Sequence, residues 1–333
     1  MYTSSSRRET TLFMAKLAVF GLLVTAMQLL AGPAVTSRMI SPEFHLLFAH
    51  CDAPSPVVYF GDSVVCSIEQ RDTDRRSLVE MTQALVEQPV TMLAHPAFSQ
   101  RVFTAFTRRM ARRHVLGNVE AVFLPVNPRS FSPAWDMRPE WQFERLLFLL
   151  RHDGVFERAF FHPMATFRCA SLASVSTRAF LDTPVIVAGE QAMIIGDIES
   201  LCHSGDRETR LTAEFAGYYM HDLDNNHRSF RALLDMIDQF HHTGVTPLVY
   251  ITPVDREEGS RRHGVAFDRQ LDRNIGVIRE ALAKRQVVLH DLSHTMPSSR
   301  FTYYERVNEH LDDIGRQLVA EQLAEIYRQI AKQ

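Results

Sequence analysis

Val57-Val58-Tyr59-Phe60-Gly61-Asp62-Ser63-Val64-Val65-Cys66 is the stretch on which the fold turns. Four β-branched and aromatic residues in a row, without polar alternation, read as a strand buried on both faces, as in a parallel sheet. Gly61 ends the run where the backbone must turn sharply, and Ser63 stands on that turn. Outward from this stretch, residues 73–86 read as a helix, 90–93 as a second strand, 98–113 as a helix and 121–126 as a third strand. Later strands at 248–252 and 287–292 alternate with helices at 227–242, 267–285 and 312–330. This alternation predicts an α/β fold with a parallel core sheet of about five strands and helices on both faces. Between the third strand and His227 the punctuation is less regular, so an inserted region is expected around residues 152–226.

The chain has 333 residues, 46% of them hydrophobic, with 36 Lys and Arg against 39 Asp and Glu, which excludes disordered, collagenous and coiled-coil classes. A net charge of -3 gives no global attraction to nucleic acid. The exception to a globular composition is LFMAKLAVFGLLVTAMQLL, residues 12–30, where Lys16 is the one charge. The run is apolar on all faces and long enough to cross a bilayer. Arg7 and Arg8 precede it, which predicts a cytoplasmic tail at 1–11, a membrane anchor at 12–31 and a periplasmic body. The alternative is a cleaved signal at Ala31-Gly32-Pro33-Ala34, but Pro33 and the length of the run favour the uncleaved anchor. In an exported chain Cys51, Cys66, Cys169 and Cys202 allow up to two disulfides, with Cys66 read as a packing residue instead.

A serine on the turn that leaves a parallel strand stands at the carboxyl edge of the sheet, where α/β ligand sites form. The amide of Ser63 and the amino end of the following helix can stabilise an oxyanion there. A base is available in Tyr303-Tyr304-Glu305-Arg306-Val307-Asn308-Glu309-His310, directly before the last helix. Together, Gly61-Asp62-Ser63 and the His310 loop resemble the SGNH (GDSL-type) hydrolases, in particular membrane-anchored types of bacterial envelope and exopolysaccharide systems. The resemblance implies a flavodoxin-like three-layer sheet in an SGNH-like domain over residues 50–333, with Ser63 as nucleophile and His310 as general base. It also implies an oxyanion hole made by Ser63, Asn127 after the third strand and a glycine after the second. This sequence departs from the family twice. Ala94-His95-Pro96-Ala97 stands where the glycine belongs, so that donor passes to Ala94 or a neighbour. Val307 stands where the family has an aspartate, three residues before the histidine. Glu305 is the chosen orienting carboxylate, with Glu309 nearby and a Ser-His dyad as the alternative.

Downstream of Asn127, Trp135 is expected to stack on sugar rings, and Arg129 and Arg138 to pair with anionic groups of a substrate. Arg101, Arg108, Arg109, Arg112 and Arg113 concentrate charge on one helix, read as a solvated face in preference to a polyanion site. No metal and no cofactor is expected. The predicted function is that of a serine esterase or O-acyltransferase acting on acyl groups, acetyl first among them, of an extracytoplasmic polysaccharide, within an envelope biosynthesis complex and without nucleic acid. The alternatives are a non-catalytic scaffold that keeps the fold, and a lipase or thioesterase at the membrane.

Overall fold

The computed structural model describes residues 4–39, 41–154, 157, 175–187, 192–302, 307 and 309–331. The chain divides into two compact units, Met1–Leu46 with Glu144–Ala173, and Leu47–Phe143 with Ser174–Gln333. In the first, helix α1 (Ser4–Met39) contains an 18-residue apolar stretch, Thr10–Met27, none of it buried and long enough to span a bilayer.

The second unit is built on five parallel strands: β1 (Val57–Gly61), β2 (Val90–Ala94), β3 (Ala121–Val126), β4 (Thr246–Ile251) and β5 (Leu289–Asp291). Their spatial order is β2-β1-β3-β4-β5. The chain therefore winds first to one side of β1 and then to the other, and the strand order reverses between β1 and β3. All five residues of β1 and all six of β3 are buried, as their continuous apolar runs require of strands covered on both faces.

Helices α3 (Leu78–Val86) and α8 (Asp313–Ala331) cover one face, where Leu78, Met81, Val319 and Leu323 pack with Val57, Tyr59, Phe123 and Tyr250. Helix α4 (Gln100–Arg112) covers the other face, and its Phe103 ring lies 5.3 Å from that of Phe60. Helices α6 (Arg228–Thr243) and α7 (Val265–Ala283) complete the body with buried rows of Leu233, Ile237, Leu271, Ile275 and Ile278. Helix α3 starts five residues later than its apolar pattern suggests, because Ser77 and Glu80 form a reciprocal cap that fixes the start at Leu78.

Of the region 152–226, where an insertion is expected, residues 155–156, 158–174 and 188–191 lie outside the described residues, and helix α5 (Arg207–Tyr219) packs into the body with Leu211, Phe215 and Tyr219 nearly inaccessible. Cys51, Cys66 and Cys202 form no disulfide with one another, and Cys169 lies outside the described residues. The Cys66 thiol donates to the Asp62 carbonyl at 3.2 Å. Burial, and then the charge of Asp62, push its pKa up to about 12, which suits a packing thiol.

Candidate functional site

The carboxyl edge of the sheet, beside the reversal between β1 and β3, collects the motif residues. Gly61 ends β1 in register with Ala94 of β2, and Asp62 caps a single helical turn, Ser63–Cys66, by accepting from the Val64 N–H at 2.9 Å. That turn is too short to carry a strong macrodipole, so charge stabilisation here falls to individual N–H groups. Among the described residues the Ser63 N–H has no hydrogen-bond partner.

Ala94 is the last residue of β2, and the His95 N–H donates to the Gly61 carbonyl at 3.2 Å. Ala97 lies in the turn that follows β2. Its φ of 64° is the left-handed conformation in which glycine is at ease. Its N–H also makes no hydrogen bond among the described residues. Ala97, a neighbour of the expected donor Ala94, is therefore the residue of this loop with a glycine-like backbone. The imidazole of His95, which sequence reasoning passed over, has Nδ1 2.9 Å from the Pro96 carbonyl and lies against Phe98 and Phe143 on this same edge.

Asn127 leaves β3 at 3% exposure and joins the serine turn to the histidine loop. Its Nδ2 donates to Asp62 Oδ2 at 3.4 Å and to Glu309 Oε2 at 3.2 Å, while Oδ1 accepts from the Arg129 N–H at 3.2 Å. Both amide hydrogens of Asn127, the expected oxyanion donor, thus face carboxylates in this arrangement. Glu309 also pairs with Arg129 Nη1 at 2.9 Å and accepts from the Tyr219 hydroxyl.

Two buried carboxyls feel one guanidinium, Glu309 by contact and Asp62 through its charge. Burial pushes Glu309 up to about 7, with Arg129 pulling it down and Asp62 pushing it further up. Asp62 is raised by burial, against the pull of Arg129. Burial also lowers His310 to about 4, reinforced by the Arg129 charge. Such a histidine is neutral at physiological pH, the form a general base needs. Among the described residues no hydrogen bond joins Ser63 Oγ to His310. Glu305, the expected orienting carboxylate, lies outside the described residues.

Arg129, Trp135 and Arg138, expected to touch substrate, make internal contacts in this structure. Arg129, 1% exposed, is held by Glu309, and its guanidinium lies 4.0 Å from the centroid of the Trp135 ring. Trp135 is buried against Trp141, with centroids 3.9 Å apart, and meets Tyr218 edge-on. Arg138 pairs with Glu199 and lies over Trp141 and Phe180. Sequence shows none of these partners because they lie on other elements; an arginine or tryptophan near a catalytic motif reads the same whether it faces a ligand or a neighbouring helix. Among the described residues no group of three or more His, Cys, Asp and Glu side chains is placed to hold a metal. No protein-family model matches the chain, and no characterised protein matches its sequence.

Proposed function

We propose that this chain is a membrane-anchored SGNH-type, flavodoxin-like serine esterase or O-acyltransferase acting on acyl groups of an extracytoplasmic polysaccharide. The observation that supports it is the chain Asp62–Asn127–Glu309, which ties the serine turn, the exit of β3 and the histidine loop to one edge of the sheet. Ser63 Oγ attacks the acyl carbon as the neutral imidazole of His310 takes its proton, and collapse of the tetrahedral intermediate breaks the ester C–O bond and expels the donor alcohol, which takes that proton from the imidazolium. The oxyanion is met by backbone N–H groups, Ser63 first and Ala97 second. Water resolves the acyl-serine in an esterase, and a sugar hydroxyl does so in a transferase. Acetyl is the favoured acyl group, and an envelope biosynthesis complex the favoured setting.

A serine-directed fluorophosphonate tests the nucleophile. Wild-type protein should take up the label, Ser63→Ala should abolish both labelling and turnover, and His310→Ala should slow them by roughly 10³-fold or more, because triad members act as a unit. Absence of label on correctly folded wild-type protein would leave the second reading, a non-catalytic scaffold. That reading is favoured by the amide hydrogens of Asn127, which both face carboxylates. The proposed topology, tail inside and body outside, predicts that a reporter fused after Gln333 is active only outside the cytoplasm; activity inside rejects the envelope substrate.

A further inference from the structure

Val307, three residues before His310, has a side chain that can orient nothing by hydrogen bonding, yet its backbone is held from two directions. Its N–H donates to Glu214 Oε2 at 2.6 Å, and its carbonyl accepts from Arg129 Nη1 at 3.3 Å. Two residues on, the Glu309 side chain, 1% exposed, meets Arg129 at 2.9 Å and accepts from Asn127 and Tyr219. Beyond the pair, the Thr302 N–H and Oγ1 donate to the His310 carbonyl at 2.9 and 3.2 Å, and Phe301 bridges Leu311. The backbone is thus fastened on each side of the histidine, by groups from helix α5, the exit of β3 and the loop itself. A buried carboxyl–guanidinium contact keeps its geometry because parting it strands the Arg129 charge away from water.

We infer that Glu309 and Arg129 are positioning residues, whose buried pair, braced by Glu214, Tyr219 and Asn127, fixes the loop that presents His310 and so takes over the work of the aspartate missing at Val307. The catalytic meaning of this clamp rests on the reading of His310 as the base for Ser63, whereas its existence does not. The sequence reading placed Glu309 second to Glu305 as an orienting group, because a carboxylate next to a histidine in sequence points away from it when the loop is extended; its partner Arg129 lies 180 residues earlier.

The test uses the full chain in detergent micelles, as wild type, Glu309→Gln and Tyr219→Phe. Tyr219→Phe removes one hydrogen bond to Glu309 and keeps the ring, so it serves where Glu309→Gln does not fold. Amide exchange at residues 307 and 309–312 should quicken at least tenfold in Glu309→Gln and severalfold in Tyr219→Phe, with β1 and β3 still protected. The His310 imidazole, followed by NMR, should move its titration midpoint from about 4 toward 6.5 as the loop loosens and admits water. Phosphonate labelling of Ser63 should slow at least tenfold in Glu309→Gln. If exchange and the imidazole titration in both folded variants match wild type, the clamp is wrong. If the loop loosens as expected but wild type takes up no label, the clamp stands and the enzyme reading falls.

Discussion

A methyl group on Gly61 would sit 1.8 Å from Val65 Cγ2 and 3.3 Å from Ala94 Cβ, so glycine here is a matter of space. Val65 is itself inaccessible and cannot swing aside. Gly61→Ala should therefore cost about 2–3 kcal/mol, the upper range for overpacking, and Val65→Ala in the same chain should recover much of it, since the two changes share one contact. Equal stability losses for the single and double variants in urea unfolding would disprove the steric account. Gly61 and Ser63 were legible in sequence because a glycine that ends an apolar strand and a serine just after it are local signals. Ala97 was not. Its left-handed backbone belongs to a residue type that does not announce it, and at about 1–2 kcal/mol of backbone cost the conformation is held by the loop around it.

At the level of elements, the strands and helices of the body were legible because each carries its own periodicity, and they lie within a few residues of their expected bounds. What sequence could not show is which face each polar residue turns to. The basic helix α4 illustrates this. Arg109 makes a bidentate pair with Asp52 at 2.9 and 2.8 Å, Arg113 joins the same carboxylate at 3.4 Å, and Arg108 pairs with Asp235 at 3.0 Å. This face fastens residues 47–52, the end of helix α2 (Pro42–Asp52), to the body, where Phe48 also meets Phe106. The segment after β3 behaves in the same way, and its tryptophan is a packing residue. Trp135→Ala should cost about 3–5 kcal/mol of stability, as for other large aromatic truncations in a core. A variant that unfolds like wild type but loses only affinity for an acylated glycan would restore the stacking role.

For the whole molecule, buried titratable groups set opposing demands on pH. Burial lowers His221 to about 3 and His310 to about 4, below the ordinary histidine value of 6.5. As pH falls below 6.5 the unfolded chain takes up protons that the folded chain refuses, so each histidine withdraws stability, by about 1 kcal/mol per pH unit, until its folded value is reached. Glu309 works in the other direction. Its folded value of about 7 lies above the ordinary 4.5, so its contribution is complete below pH 4.5 and is lost as pH rises through 7. Asp62, raised by the same burial, adds to that loss. Between pH 4.5 and 6.5 these two histidines, joined by His227 and His290, which burial also lowers, outweigh Glu309 and Asp62, and between 6.5 and 7 the carboxyl loss runs unopposed. Stability of the full chain in detergent should therefore peak near pH 6.5. Glu309→Gln should flatten the decline above the peak, because the amide has no proton to surrender, while leaving the acid limb in place. His221→Asn should make the acid limb shallower by about one proton's worth of slope and leave the alkaline side unchanged. Unfolding free energies measured from pH 4 to 8 check both; an alkaline decline that persists undiminished in Glu309→Gln would remove the buried carboxyl as its cause.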